Sequence, residues 1–321
     1  MMRLAAAHPG VELAVVASTS AYGKRLDDVL PAFRKIYDLT IETFDVKALA
    51  KKCDAVIIGV PSGKSISVVS ELREAGARVL DLGGDFRLKD PAKFEKYYNE
   101  KHGAPHLMAD AVYGLAPMYR EKLKAAQLVC VPGCYPVSAI LPLRPILDHA
   151  QAAVPIVIDS ISGVSGAGRK PSEGFHFPEM NENLKAYKLA VHQHVPEIEQ
   201  ELGNRAMVQF TPHVAPITRG ILTTITFRPT RDVNPAAAYA CYADEPFVRV
   251  LPEGQLPEVK HVRGSNFCDI GWVKDARTGN LLIVSAIDNL MGGTSGMAIQ
   301  CLNIMFGLDE RTGLNFAGIA P

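Results

Sequence analysis

Several things are missing from this sequence, and each absence narrows what the chain can be. There is no excess of either charge, since Lys+Arg and Asp+Glu both number 34 in 321 residues. No overall field therefore draws the chain to nucleic acid or to an anionic membrane. No apolar run is long enough to cross a bilayer, and Met1-Met2-Arg3-Leu4 lacks the apolar region of a secretory signal, so the cytoplasm is the expected place. The cysteines (Cys53, Cys130, Cys134, Cys241, Cys268 and Cys301) form no CxxC pair and no cluster with histidine. That argues against a disulfide framework and against a structural metal. No internal repeat or low-complexity tract breaks the chain. The composition that remains, 48% hydrophobic and 21% charged, is that of a globular protein long enough for two domains.

The order of apolar runs predicts two different grammars. Residues 1–8 read as the last turns of a helix stopped by Pro9-Gly10. Strands are predicted at residues 12–18, 54–59, 78–82 and 128–131, with helices around 46–52, 64–75 and 118–126. Fully apolar strands alternating with helices indicate an α/β, Rossmann-like, doubly wound parallel sheet. Such a sheet opens on a central strand and a glycine-rich turn, GxGxxG or similar, and neither is present. The expectation is that this first βα unit precedes Met1. Beyond Cys134, strands at 155–161, 207–214, 221–227, 247–251, 266–274 and 280–286 follow with few helices between them. That predicts an α+β domain with a mainly antiparallel sheet, including a hairpin across Asp275 and Thr278-Gly279. An amphipathic helix at 294–306 is predicted to return to the first domain. The expected division is thus 1–133, completed by 292–321, and 134–291.

Candidate chemistry centres on Val131-Pro132-Gly133-Cys134-Tyr135-Pro136. A buried strand runs into it and helical spacing runs out of it, with Pro136 suited to the first helical position. Cys134 then sits beside free backbone N–H groups at the positive end of a helix, a setting that favours a nucleophilic thiolate and can hold an oxyanion. The alternative is a buried Cys in a tight turn. Pro142 and Pro145 fall inside the predicted helix and should shorten or kink it.

Elsewhere, Ser160 to Lys170 is a Gly/Ser-rich run ending in Arg169 and Lys170, either a ligand loop or a surface loop. His192 and His194 precede a helix start at Pro196; one imidazole could act as acid or base, tuned by Glu197 or by Cys134. Metal binding by this pair lacks further ligands, and two exposed loop histidines are the plain alternative. Arg219 in a Pro-rich turn and Arg87 at the end of a parallel strand are candidates to hold phosphate or carboxylate. Ser18, Thr19, Ser20 and Lys24 offer hydroxyls and a cation without an acid, the pattern that accepts a 2′-phosphate, so the expected cofactor is NADPH/NADP.

Taken together these motifs resemble the N-acetyl-γ-glutamyl-phosphate reductases of the arginine route, a family related to aspartate-semialdehyde dehydrogenase. The segments that carry the resemblance are 131–136, 162–170, 192–198, 210–213 with Arg219-Gly220, 267–271 and Asp288-Asn289-Leu290. The resemblance implies NADPH-dependent reduction of an acyl phosphate to an aldehyde through a thioester on Cys134, with release of phosphate. It implies His194 as acid/base, His192 second and His213 third. Arg87, Ser162 and Arg219 would contact substrate; Pro61, Ser165, Gly166 and Asn289, with Ser18, Ser20 and Lys24, would contact cofactor; no metal is implied. A homo-oligomer, dimer or tetramer, built through the second domain's sheet is implied too. Departures from the pattern are Gln193 for an Arg, Gly292 for a Lys and Val137 for a Thr. The alternatives are the homologous reductase of a lysine route, whose aminoadipyl substrate is one methylene longer, and a truncated chain unable to hold the cofactor.

Overall fold

A computed structural model describes residues 1–151, 154–168 and 171–320, and the chain divides into two compact units. The first comprises Met1–Pro91, Lys101–Val131 and Ala298–Leu314; the second comprises Ala92–Glu100, Pro132–Met297 and the residues from Asn315 on.

Four strands build the first unit: β1 (Ala55–Ile58), β2 (Arg78–Asp81), β3 (Val112–Tyr113) and β4 (Leu128–Cys130). They pair in the order β1-β2-β4-β3, all parallel. Every residue of β4 is buried, as a strand without a polar face requires. Helix Ser65–Glu74 crosses from β1 to β2 and buries Ile66, Val69 and Leu72, an i, i+3, i+6 stripe. The C-terminal helix Gly296–Met305 contributes buried Ala298, Cys301, Leu302 and Met305 to this core. His8, at the end of the opening helix Met2–Ala7, meets Asn303 of that helix at 2.9 Å.

Two expectations need correction, and one element was not foreseen. Residues 12–18 do not form a strand: apolarity leaves the chain extended, but a ladder needs a partner, and only the isolated bridge Ala17–Glu42 supplies one. The short strand β3 was not predicted, because two residues carry no periodicity. The C-terminal residues do not all return to the first unit, since Ile319 N–H donates to Arg263 O in the second.

The second unit holds β5 (Ile156–Gly163), β6 (Lys185–Ala186), β7 (Val208–Ala215), β8 (Ile221–Phe227), β9 (Val248–Val250), β10 (Cys268–Asp275) and β11 (Asn280–Ile287). Their order is β6-β7-β5-β8-β11-β10-β9. The β5–β7 and β9–β10 pairs are parallel and the others antiparallel, so the sheet is mixed. The β10–β11 hairpin forms where Asp275, Thr278 and Gly279 predict it, with Asp275 accepting from Arg277 N and Thr278 Oγ1 and Gly279 at φ +72°.

Helix Cys134–Leu143 is pinned to the face of this sheet that carries Thr223. The Ser138 and Ser160 hydroxyls each lie 2.7 Å from Thr223 Oγ1. Pro142 and Pro145 end the helix in a 3₁₀ turn, Arg144–His149. Each proline deprives the carbonyl four residues earlier of its N–H partner, and side chains take the place. Ser285 Oγ donates to Ser138 O at 2.5 Å, and Tyr242 OH donates to Leu141 O at 2.7 Å. No helix among the described residues is long and apolar enough to cross a membrane.

Candidate active site

Two helix starts define the site in the second unit. Cys134 is the first residue of its helix, with Gly133 as cap, and it is partly exposed. Pro136 is the third helical residue rather than the first, still within the turn whose N–H groups have no helical acceptor. His194 opens helix His194–Glu201, which packs on the Cys134 helix. Glu197 connects the two starts. Its carboxylate, fully buried, accepts the Gly133 N–H through Oε1 at 2.9 Å and stands 4.0 Å from His194 Nε2 through Oε2.

The other histidine of the motif is differently placed. His192 Nδ1 accepts the backbone N–H of His194 at 3.1 Å, which fixes the ring proton on Nε2. Burial, with a smaller push from Lys188, lowers its pKa to about 4, so it stays neutral at physiological pH. His213, on β7, takes part through its carbonyl, which accepts Tyr135 OH at 3.0 Å. Tyr187 OH in turn donates to Tyr135 OH at 3.0 Å. Burial pushes both phenols up, Tyr187 to about 12, and a charge on Cys134 adds to both shifts.

A second cluster is knitted by Asp288 and Asn289 at the end of β11. Asn289 Oδ1 accepts Gly220 N–H at 2.7 Å, and its Nδ2 donates to Ser165 Oγ at 3.0 Å. The buried Asp288 carboxylate lies 3.2 Å from Nε of a partly exposed Arg219. Gly163 and Gly220 make this closeness possible. A Cβ on Gly163 would sit 2.8 Å from Arg219 N, and Gly220 at φ +114° would press on Val259. Ser162 is buried with its hydroxyl on Gly163 O, whereas Gly166 is exposed. Arg169 and Lys170 lie outside the described residues.

The remaining candidates belong to the first unit. Ser18, Ser20 and Lys24 occupy a turn after the Ala17 bridge, with Ser20 N–H on Ser18 Oγ and no carboxylate paired with Lys24 among the described residues. Pro61 is exposed on the loop that follows β1. Arg87 is only 8% exposed and donates through Nε to Val131 O and through Nη2 to Leu82 O. It braces the strand end that leads into the cysteine turn. An arginine in a Gly-Asp-Phe-Arg run carries no sign of this in the sequence.

Comparison with known proteins bears on both units. Residues 1–126 match the semialdehyde dehydrogenase NAD binding domain and residues 134–289 match the semialdehyde dehydrogenase dimerisation domain. The chain is 47% identical, over 332 aligned positions covering 100% of it and 95% of the relative, to the N-acetyl-gamma-glutamyl-phosphate reductase of Desulforudis audaxviator. It is 45% identical over 331 positions to that of Geobacter sulfurreducens, with the same coverage. The chain belongs to the N-acetyl-gamma-glutamyl-phosphate reductase family. Among solved structures it is similar to aspartate semialdehyde dehydrogenase II from Vibrio cholerae, with TM-score 0.69, 14% identity, and coverage of 92% of this chain and 91% of that one. The Candida albicans aspartate semialdehyde dehydrogenase with NADP gives TM-score 0.68 at 16% identity, covering 94% and 93%.

Within this reductase family setting, two of the departures seen in the sequence have local explanations, and nothing in the structure explains Val137. Gln193 Oε1 accepts Lys188 Nζ at 3.1 Å, and a Cβ on Gly292 would stand 3.1 Å from Asn266 O. Two residues of the site, Tyr187 and Gly293, were not found from sequence. Gly293 lies in the π turn Met291–Ser295, where a Cβ would be 2.6 Å from Cys134 Cβ. The adjacent Gly292-Gly293 pair signals a turn, but nothing in it points to Cys134. Gly293→Ala is therefore expected to displace the thiol and lower kcat about a hundredfold, with the folded far-UV spectrum retained. A kcat within a few fold of wild type would contradict that contact.

Proposed function

We propose that this chain reduces N-acetyl-γ-glutamyl phosphate to N-acetylglutamate semialdehyde, releasing phosphate, in arginine biosynthesis. The observation that carries the reading is Glu197, a buried carboxylate shared between the residue before Cys134 and the imidazole of His194. It joins a helix-start thiol and an acid/base into one unit, the arrangement that thiol acyl transfer needs.

In this reading the Cys134 sulfur attacks the γ-carbonyl carbon, the C–O bond to phosphate breaks, and a thioester remains on the enzyme. Backbone N–H groups of the first helical turn face the oxygen that becomes negative. NADPH, when bound, supplies the hydride that reduces the thioester carbon. His194 donates a proton to the oxygen of the resulting thiohemiacetal and takes it back as the C–S bond breaks, returning the thiolate and freeing the aldehyde. His192, held neutral, orients His194 through its backbone and serves no proton transfer. Arg219, steadied by Asp288, holds a phosphate or carboxylate. The residues at the first unit's loops fit a phosphorylated dinucleotide: Ser18, Ser20 and Lys24 offer hydroxyls and a cation with no carboxylate paired to it among the described residues, and Gly59 leaves its loop open, its Cβ position meeting Leu82 at 3.8 Å. Pro61, in the first unit, would contact the cofactor. In the second unit, Asn289 acts by holding Ser165 and Gly220 together.

Steady-state turnover with the glutamyl and the aminoadipyl acyl phosphates, each with NADPH and NADH, tests this function. The glutamyl substrate with NADPH should be preferred. One methylene is only weakly discriminated by a pocket, so the two substrates must be compared directly, and equal or better use of the aminoadipyl substrate would sink the assignment.

The chain is further proposed to work as a homo-oligomer, in which a second copy covers the outer face of the mixed sheet. Val157, Ile161, Leu222 and Val284 lie on that face only half-buried, opposite the face pinned to the Cys134 helix. Leu222→Lys should lower the mass measured by sedimentation to that of one chain. An unchanged mass would place the interface elsewhere.

A further inference from the structure

A buried acid pair lies in the first unit, at the ends of the strands that face the proposed cofactor loop. Asp81 ends β2, Asp85 lies four residues on, and both are fully buried. Between them stands one hydroxyl, Ser65 Oγ, 2.7 Å from Asp85 Oδ2 and 3.0 Å from Asp81 Oδ2. A serine hydroxyl has one proton to give and cannot satisfy two carboxylates. The surroundings are unequal. Asp85 accepts the Gly63 N–H at 2.8 Å and the Ser65 N–H at 3.2 Å, at the first turn of the ten-residue helix Ser65–Glu74. Those donors and the positive end of the helix favour a charge there. Among the described residues the Asp81 carboxyl receives one backbone N–H, that of Gly83, at 2.9 Å.

We infer that Asp81 is a neutral carboxylic acid and Asp85 its ionised partner, linked through Ser65, and that this pair sets the conformation of the cofactor loop 59–63. The proton of Asp81 Oδ2 goes to Ser65 Oγ, and the Ser65 proton goes to Asp85 Oδ2. Asp85 is thereby the buried anchor of a loop whose residues 59–62 are exposed. Burial is the main cause raising the Asp81 carboxyl, and Asp85 adds to it, while the Gly83 and Ser65 bonds and Arg87 oppose it. Arg87 is the cation facing the pair. His102 donates through Nε2 to Asp85 O at 3.0 Å, its Nδ1 accepting Ala104 N–H, so it adds no charge in that tautomer.

The loop half of this inference rests on the proposed cofactor site; the proton half does not. The unfolded chain releases the Asp81 proton near the ordinary aspartate value and the folded chain retains it. Stability contributed by this group is therefore full below that value and is lost as pH rises through the folded-state value. Asp81→Asn mimics the neutral acid and has no proton to lose. In melts of the cofactor-free chain between about pH 4 and about pH 8, the midpoint of Asp81→Asn relative to wild type should climb with pH. A flat or falling difference overturns the proton assignment.

For the loop, NADPH binding followed by fluorescence should be about tenfold weaker in Asp85→Asn than in Asp81→Asn. Ser65→Ala, which removes the bridge without adding bulk, should weaken NADPH in the same direction should Asp85→Asn not fold. The reverse ranking, or equal losses at both aspartates, overturns the division of roles. Absence of NADPH binding by the wild-type chain overturns the cofactor reading and the loop half with it, while the melts still decide where the proton lies.

Discussion

Cys134→Ala is expected to abolish reductase turnover, lowering kcat by roughly 10⁴-fold or more, while NADPH affinity stays near wild type. The expectation follows from position. Cys134 is the partly exposed cysteine at a helix start, and its neighbours Gly133, Glu197 and Gly293 are arranged about it. The other cysteines offer no substitute: Cys130, Cys268 and Cys301 are buried, and burial raises the thiols of Cys268 and Cys301 and also those of the half-buried Cys53 and the exposed Cys241, none of which opens an α-helix. Iodoacetamide at low molar ratio should accordingly label Cys134 first. Retained acyl-phosphate-dependent turnover in Cys134→Ala would refute the thioester route.

The second large effect separates the two histidines. His194→Gln should cost about 10³-fold in kcat, within the range for a lost general acid/base. Glu197→Gln, which keeps an acceptor for Gly133 N–H but removes the charge beside the imidazole, should cost about tenfold. It should also move the imidazole limb of the pH–rate profile to lower pH, because the imidazolium loses its counter-charge. His192 should show itself in stability instead. Its folded pKa of about 4 lies below the ordinary imidazole value of 6.5, so the unfolded chain binds a proton first as pH falls. The stability due to neutral His192 is present above the upper value and is lost between the two. His192→Gln should flatten that acid limb in thermal melts and leave the pH–rate limb in place. A His194 variant with near-normal kcat, or a His192 variant that erases the rate limb, would reverse the assignment.

Much of this was legible in sequence because it is local. Residues 46–52 read as a helix and form one, Val46–Lys52, with Asp45 capping Ala48 N–H. β8 is Ile221–Phe227, the predicted span, because its alternation of buried and less buried side chains is complete. The strand-turn-helix at Cys134 was likewise written in six residues. What could not be read depends on distant partners. Glu197 reads as an acid beside the histidines, but its hold on Gly133, 64 residues away, leaves no local signal. Arg87 reads as an anion clamp until Val131 and Leu82 carbonyls are found on its guanidinium. Residues 12–18 have a strand's composition, yet a strand exists only with a ladder beside it.

The prolines of the Cys134 helix have a further consequence. Within a regular helix the carbonyls of Ser138 and Leu141 would be closed to the rest of the protein. Pro142 and Pro145 open them, and Ser285 and Tyr242 occupy the openings. Restoring an N–H at residue 142 would set a backbone donor against a serine hydroxyl for one acceptor. Removing the hydroxyl would instead strand a buried carbonyl, at about 1–3 kcal/mol. Residues 142 and 285, and likewise 145 and 242, are therefore coupled pairs. Sequence change at one member is constrained by the other across more than 90 positions of chain. The helix that presents the thiol owes its footing to the bonds it cannot make within itself.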